Sequence, residues 1–349
     1  MIDIPQVVQH SAVATSTDTQ NEILELPVLV ILPHNRCNCR CLMCDIWKIR
    51  QIREITAADL QPHLDSLRQL KVRWIVLSGG EPLLHSCLPD LCKPIRAEGI
   101  RLTILTSGLL LEQKAKMIAE NCDEVIVSLD GPAIVHNRIR GVLRAFERMS
   151  KGLCALRVAN PCISVQGRCT IQKENCTALR DTVRAAKDLA LDSISFLAAD
   201  VTSEAFNRPG GWPPDRQWAI SLIEEDVEKL DREIESVITD YSREILEGFI
   251  AENPEKLRSI VLHFRALLGQ VQPTAPVCNA PWVSAVIDSE GAVLPCFFHP
   301  PIGNIQEKPL ARVLNERQAM EFRAQLDIPN NPVCRRCVCS LYIPRRKPP

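Results

Sequence analysis

PVLVILPHNRCNCRCLMC, residues 27 to 44, joins a strand-length apolar run to a loop that holds Cys37, Cys39, Cys41 and Cys44. The run from 27 to 32 is apolar at nearly every position, the pattern of a strand covered on both faces. Strands of that kind belong to parallel sheets, whose connections are usually helices. The chain continues accordingly. Runs at 73–77 (RWIVL), 101–105 (RLTIL), 124–129 (EVIVSL), 163–171 (ISVQGRCTI) and 193–197 (SISFL) alternate with helical periodicity. Residues 57 to 70 place Leu60, Leu64 and Leu67 on one face, with Pro62 inside leaving the helix start open. Residues 176 to 191 do the same with Leu179, Val183, Ala186 and Leu189. Six strand-then-helix units predict an α/β fold, a partial (β/α)6 TIM-like barrel, with a doubly wound open sheet as the competing arrangement.

In parallel α/β architectures ligands bind beyond the carboxyl ends of the strands, so the loops after the runs should hold the chemistry. After the second run stands Ser78-Gly79-Gly80-Glu81-Pro82, after the third Thr106-Ser107-Gly108, and after the fourth Asp130-Gly131-Pro132. The loop after the sixth brings Asp200, Ser203, Glu204, Asn207 and Arg208 to the barrel mouth. Such a density of polar groups suits a substrate pocket, although a solvated loop would look alike. Residues 215 to 250 predict one long amphipathic helix, with Ile223, Val227, Leu230, Ile234, Ile238, Tyr241, Ile245 and Phe249 on its apolar side. The expected organisation is a flexible segment 1–26, the barrel 27–212, a helical bridge 213–269, and a small cysteine-rich module 270–349.

The 349 residues are 46% hydrophobic and 24% charged, which suffices for a sizeable core plus a smaller appendage. A formal net charge of -1 without long runs of like charge gives no sign of a nucleic-acid or membrane-surface partner. The short basic end, Arg345-Arg346-Lys347, reads as solvated. No apolar stretch reaches bilayer-spanning length and the polar start lacks the order of a signal peptide, so a cytoplasmic location is expected. Without a secretion signal, 16 cysteines argue for metal ligation plus buried thiols rather than disulfides. Cys87, Cys92, Cys122, Cys154, Cys162, Cys169 and Cys176 stand singly and read as small buried hydrophobes.

Cys37, Cys41 and Cys44 form C-x3-C-x2-C, three thiols on one tight loop with no fourth cysteine or histidine at a comparable spacing. Structural zinc prefers a closed set of four ligands, commonly two separated pairs. Cys39 would have to turn inward against both its neighbours, so it reads as a bystander. Three thiolates on a 4Fe-4S cube leave one iron open, and the spacing favours that arrangement.

With Gly79-Gly80-Glu81-Pro82 on the next strand end, this triplet resembles the signature of the radical S-adenosylmethionine (radical SAM) enzymes. Met43, before the third cysteine, departs from the aromatic residue frequent there, and a soft apolar side chain can serve the same packing. The resemblance implies that Cys37, Cys41 and Cys44 hold a 4Fe-4S cluster whose open iron chelates S-adenosylmethionine. One electron from the cluster then yields a 5'-deoxyadenosyl radical that abstracts hydrogen from substrate. It implies further that the segment Gly79 to Pro82 holds the methionine amino group, with Glu81 pairing the ammonium and the glycines letting the backbone come close. Ser107 would contact the ribose, and Ser128 and Arg168 would bind the methionine carboxylate. Arg168 has independent support, because an arginine inside an apolar strand needs an anion. Asp130 reads as structural or ribose-contacting.

Cys278, Cys296 (five residues after Gly291), Cys334 and Cys337 make the second group, with Cys339 competing for the last place. Residues 284 to 296, with Ser289-Glu290-Gly291 as the turn, predict a hairpin. The group resembles the SPASM-type auxiliary-cluster domain, in its shorter twitch form with one 4Fe-4S cluster and no open iron; structural zinc is the alternative. The implied activity is hydrogen abstraction from a C–H bond of a small molecule (oxidation, epimerisation or rearrangement), fed by an electron donor such as flavodoxin or ferredoxin. Maturation of a ribosomally made peptide is the rival. A short segment before the first strand weakens it, and Lys347-Pro348-Pro349 at the end disfavours a molybdopterin-cofactor synthase. A non-catalytic iron-sulfur or zinc protein is the reading of another class.

Overall fold

The computed structural model describes residues 21–344. The basic end at 345–349 and most of the segment expected to be flexible lie outside the described residues. Residues 21 to 26 are anchored instead: Ile23 and Leu26 are buried, and Asn315 bonds both the N–H and the carbonyl of Ile23 at 2.8 and 2.9 Å.

All six apolar runs are strands: β1 (Val28–His34), β2 (Trp74–Gly79), β3 (Arg101–Thr106), β4 (Glu124–Ser128), β5 (Ser164–Ile171) and β6 (Ser193–Ala198). The tail adds β7 (Ser284–Ile287), β8 (Ala292–Leu294) and β9 (Gly303–Asn304). Together they form one nine-stranded sheet in the order β6-β5-β4-β3-β2-β1-β7-β8-β9. β1 to β6 pair in parallel as a partial barrel, and β7 pairs in parallel with the free side of β1, Val28 opposite Ser284 and Ile31 opposite Ile287. The predicted hairpin exists as β7 and β8, with Gly291 at φ +81 in its turn. The cysteine-rich module therefore shares the barrel's sheet rather than forming its own.

Burial corrects one expectation. Strands β2 and β6 alternate buried and half-buried residues along their length. Leu29, Ile31, Ile75, Leu77, Leu102 and Ile104 pack into the core, while the alternate positions near the strand ends face an open inner surface. A partial barrel does not close over that surface, which is where a ligand can enter.

The helices between strands are shorter than periodicity suggested. Residues 57 to 69 break at Pro62 into helices Ala57–Leu60 and Leu64–Gln69 with a tight turn between. The predicted helix 215–250 is three: Pro214–Ile220, Glu224–Asp240 and Ser242–Leu246. The first break arises because Ile220, Ser221 and Leu222 are all buried, which no single helix face permits, and the carbonyl of Ile220 accepts from Lys173 N–H. Helices Glu224–Asp240 and Pro254–Leu267 then cover the β6 side, burying Leu230, Ile234, Leu257 and Phe264.

Phe249 to Ala251 run alongside β6, Ile194 N–H donating to the Phe249 carbonyl and Ala251 N–H to the Ile194 carbonyl. Glu252 follows, its carboxylate accepting from Phe196 N–H at 2.9 Å. Burial raises its pKa to about 7. The folded chain thus holds this proton more tightly than the unfolded one, and stability declines as pH rises from the unfolded value through about 7. Glu252→Gln keeps an acceptor for Phe196 N–H and cannot ionise. It is expected to melt like the wild type in acid and to be more stable by about 1–3 kcal/mol above pH ~8. Equal melting of the two proteins at alkaline pH would contradict this origin.

Candidate active site and auxiliary cysteine site

The loop after β1 is held from three sides. The helix Ala133–Arg140 ends at Gly141 in the left-handed region, and its last carbonyls accept from the loop: Arg140 from Arg40 N–H at 2.9 Å, Ile139 from Leu42 N–H at 3.0 Å. From the loop after β6, Arg208 donates to the Met43 carbonyl at 2.7 Å and Asn207 to that of Asp45 at 3.0 Å. Trp212 Nε1 donates to the Asp45 carboxylate at 2.7 Å, and Arg216 to the Leu42 carbonyl at 2.6 Å. The third contact is the glycine pair: Glu81 N–H donates to the Arg36 carbonyl at 2.7 Å and Gly80 N–H to that of His34 at 3.3 Å.

A cavity opens above the strand ends, lined by Cys37, Cys39, Cys41, Met43 and Cys44 on one wall. Ser78, Gly79, Gly80, Thr106, Ser107, Ser128, Arg168 and Thr170 line it from the ends of β2 to β5, Leu197 and Ala198 from β6, and Arg140, Phe206, Phe297 and Val338 add to the wall. Nine of the residues singled out in sequence for this site thus stand around one space: the three cysteines, Gly79, Gly80, Ser107, Ser128, Arg168 and Met43. Burial raises the Cys44 thiol to about 11. Contact with Cys39, then burial, raises that of Cys41 well above its usual value, with Arg140 acting the other way.

Three placements differ from expectation. Glu81 is fully buried and turned from the cavity. Its carboxylate accepts from Thr106 Oγ1 at 2.7 Å, Ser107 N–H at 2.8 Å, Leu83 N–H at 3.2 Å and Ser107 Oγ. It ties the β2 and β3 loops together, and its lone pairs are taken up by the chain itself. The glycines allow a close approach, but to the chain itself: a Cβ on Gly80 would lie 2.1 Å from the Arg36 carbonyl oxygen at the start of the cysteine loop, and one on Gly79 2.9 Å from Leu32 Cβ in β1. Arg168 is exposed to the cavity rather than enclosed by apolar strand neighbours, because β5 turns that face inward to the open surface. Pro82 is buried at the start of a short turn beneath Glu81.

Asp130 is wholly buried and structural, bonded to Thr170 N–H at 3.0 Å and paired with Arg140 at 2.6 Å. The polar loop after β6 is partly consumed in the same way. Asp200 and Arg208 form a buried pair at 3.0 Å, Ser203 Oγ bonds the Asp200 carboxylate, and Asn207 serves the cysteine loop. Ser203 and Glu204 do line a second cavity of about 650 Å³, with Phe297, Phe298, His299, Pro300, Arg336 and Cys337 opposite. Asp200 borders both cavities.

The auxiliary cysteines converge from three segments. Cys278 precedes β7, Cys296 follows β8, and Cys334 sits in the turn Pro332–Arg335, whose N–H groups at Val333 and Cys334 bond Asn331 Oδ1. Cys337 N–H reaches back to the Cys334 carbonyl at 3.1 Å. Burial raises the Cys334 thiol to about 11, with Cys296 and Cys278 near enough to add to it. The chain end returns to close the module, Asn279 bonding Leu341 and Ile343. Cys339 lines the first cavity while Cys337 lines the second. Of the single cysteines, Cys92, Cys122, Cys169 and Cys176 are buried as expected, whereas Cys87, Cys154 and Cys162 are exposed.

These donor sets suit iron-sulfur clusters. Three thiols of one loop share a cavity whose other walls combine small polar groups with apolar ones such as Leu197, Phe206 and Phe297, and the Arg168 guanidinium there bonds only Ser195 Oγ, at 3.4 Å, among the described residues. Asn38 Nδ2, buried near Ser107, has no partner either. Among the described residues no three His, Cys, Asp or Glu side chains close on a single metal ion. Sequence reasoning missed Arg140 and Asp130 as a pair, and the clamps from Arg208, Trp212 and Arg216; all join positions far apart in the chain.

The Radical SAM superfamily model matches residues 31–165, and the model of an iron-sulfur cluster-binding domain, SPASM, matches residues 278–338. Pre-heme d1 synthase of Dinoroseobacter shibae is 32% identical over 170 residues, 48% of this chain and 42% of that protein. Fe-coproporphyrin III synthase of Methanosarcina barkeri is 28% identical over 302 residues, 82% of this chain and 73% of that protein. The chain thus spans less than half of the first relative and about three quarters of the second. Two solved structures share the fold: Streptococcus suis SuiB bound to S-adenosylmethionine (TM-score 0.65, 16% identity, 94% of this chain and 76% of that one) and anSMEcpe with bound AdoMet (TM-score 0.65, 20%, 87% and 84%). No helix among the described residues is long and apolar enough to cross a membrane.

Proposed function

We propose that this chain, which carries a Radical SAM domain over residues 31–165 and a SPASM domain over residues 278–338, reductively cleaves S-adenosylmethionine and takes hydrogen from a C–H bond of a small molecule. The observation that carries this reading is the single cavity on which Cys37, Cys41, Cys44, Gly79, Gly80, Ser128 and Arg168 all open. When bound, the cluster would supply the electron for reductive cleavage of a carbon–sulfur bond of the cofactor. The chain's own part is placement. Cys37, Cys41 and Cys44 would hold the cluster. Arg168 with Ser128 would hold the methionine carboxylate, and the backbone of Gly79 and Gly80 its ammonium. Ser107, fixed by Glu81, would stand at the ribose. Cys278, Cys296, Cys334 and Cys337 would hold the auxiliary 4Fe-4S cluster. A donor such as flavodoxin or ferredoxin would supply the electrons.

The second cavity suits the substrate. Phe297, Phe298 and Pro300 offer flat apolar contact and the exposed Arg336 a cationic anchor, while the buried His299 directs Nε2 to Cys334 Sγ at 3.4 Å. The relatives named for heme and coproporphyrin favour a tetrapyrrole-sized molecule over a peptide.

Anaerobically reconstituted protein is expected to hold about eight irons and to form 5'-deoxyadenosine with dithionite and S-adenosylmethionine, faster with a coproporphyrin than without. Cys278→Ala should bring iron to about four while leaving the first cluster in place. Failure to form 5'-deoxyadenosine under any of these conditions would remove the enzymatic reading, and stimulation by a peptide alone would redirect the substrate.

A further inference from the structure

We propose that Arg140 sets the reduction potential of the cluster held by the first cysteine loop, and that Asp130 limits how much of its charge the cluster feels. The inference rests on the functional reading above. Arg140 is buried, yet it is neither a surface cation nor an ordinary core ion pair. Its Nη1 lies 3.6 Å from Cys41 Sγ, its Nη2 lies 2.6 Å from Asp130 Oδ2, and its Nε has no hydrogen-bond partner among the described residues. Asp130 is itself fixed by the N–H of Thr170 on β5.

The backbone makes this placement stiff. Arg140 closes the helix Ala133–Arg140, and its carbonyl and that of Ile139 are the acceptors for Arg40 and Leu42 N–H in the cysteine loop. Gly141 stands at φ +61, and a Cβ there would lie 2.6 Å from the Arg40 carbonyl oxygen. Helix end and cysteine loop are thus locked backbone to backbone, and the guanidinium between them cannot drift. Arg208, the other buried guanidinium beside this loop, directs its Nη1 and Nη2 donors to the Asp200 carboxylate and carbonyl and to the Met43 carbonyl. Arg140 alone of the two donates to a ligand sulfur.

An N–H aimed at a ligating sulfur and a positive charge nearby both stabilise the state with the extra electron, so each raises the potential. A carboxylate behind the guanidinium opposes that effect. Removing the cation should therefore make the cluster harder to reduce, and neutralising the carboxylate should make it easier.

The test is a redox titration of reconstituted full-length protein, followed by the electron paramagnetic resonance signal that changes when S-adenosylmethionine is added. That criterion separates the first cluster from the auxiliary one. At the wild-type midpoint, Arg140→Gln is expected to show about a tenfold lower ratio of reduced to oxidised cluster, equivalent to about 59 mV for one electron. Asp130→Asn is expected to move the ratio the opposite way, and Arg140→Lys to lie between Arg140→Gln and wild type. A positioning role through packing alone would lower iron content in all three without opposed midpoints. Midpoints that stay put, or that move in the same direction for Arg140→Gln and Asp130→Asn, overturn the proposal. A wild-type protein with no S-adenosylmethionine-responsive signal would overturn the functional reading as well, so the two failures are distinct.

Discussion

Cys37→Ala, Cys41→Ala and Cys44→Ala are each expected to abolish cleavage of S-adenosylmethionine, whereas Cys39→Ala retains most of it. All four sulfurs line the cavity, so exposure to it does not separate them. What separates them is geometry along the loop. Cys39 is 1% exposed and packs with Cys41, Leu109 and Ala145, while its N–H points to Cys37 Sγ at 3.5 Å. It is already enclosed between two of its neighbours, and deleting its sulfur leaves a small void worth about 1 kcal/mol of stability. On the proposed reading, the three others would each bind a separate iron of the cube. The measurement is 5'-deoxyadenosine formed under dithionite, beside iron and sulfide content and thermal melting. Loss in Cys39→Ala equal to that in Cys37→Ala would overturn the ligand assignment.

Gly80→Ala is expected to cost about 3 kcal/mol and to empty the first cluster site while the auxiliary site still loads. Its Cβ would meet the Arg36 carbonyl oxygen at 2.1 Å and the Arg36 carbonyl carbon at 2.7 Å, backbone atoms that no rotamer change can remove. Relief requires parting the β2 loop from the cysteine loop, which breaks the bond from Glu81 N–H to the same carbonyl. Gly99→Ala is the control. That glycine has φ +69 but nothing within 4 Å of a new Cβ, so it should lose only about 1 kcal/mol of conformational preference and keep both clusters. Retention of full iron content in Gly80→Ala would show that the glycine pair does not set the cysteine loop.

The positions that line the first cavity were legible because residue type and local spacing carry that information. C-x3-C-x2-C and the glycine pair are local patterns, and the six strands are local runs. Orientation is not local. The residues around Glu81 read the same whether its carboxylate faces a ligand or Thr106 and Ser107 on the neighbouring strand, and only the paired β2 and β3 decide it. The same holds for Asp200 and Arg208, whose polarity suggested a pocket although much of it holds the cysteine loop in place. Cys154 looked like a core residue beside Leu153, but on the helix Ala145–Ala159 the buried face runs through Leu153 and Leu156, and Cys154 points outward. The hairpin of β7 and β8 could be read from its turn, whereas its partner β1 could not, since a four-residue strand carries no mark of where it docks.

That docking bears on how the protein is made. β1 emerges from the ribosome roughly 250 residues before the strand that covers its free side, a delay of about 10–50 s at ordinary synthesis rates. During that interval the edge beside the cysteine loop offers unpaired N–H and carbonyl groups to any other nascent chain. Folding of the β1 to β6 sheet can therefore be only provisional until Ser284–Ile287 arrives. A chaperone or cluster-delivery factor that meets the growing chain would find the thiols of Cys37, Cys41 and Cys44 next to an unfinished sheet, and the finished protein would present them next to a sealed one.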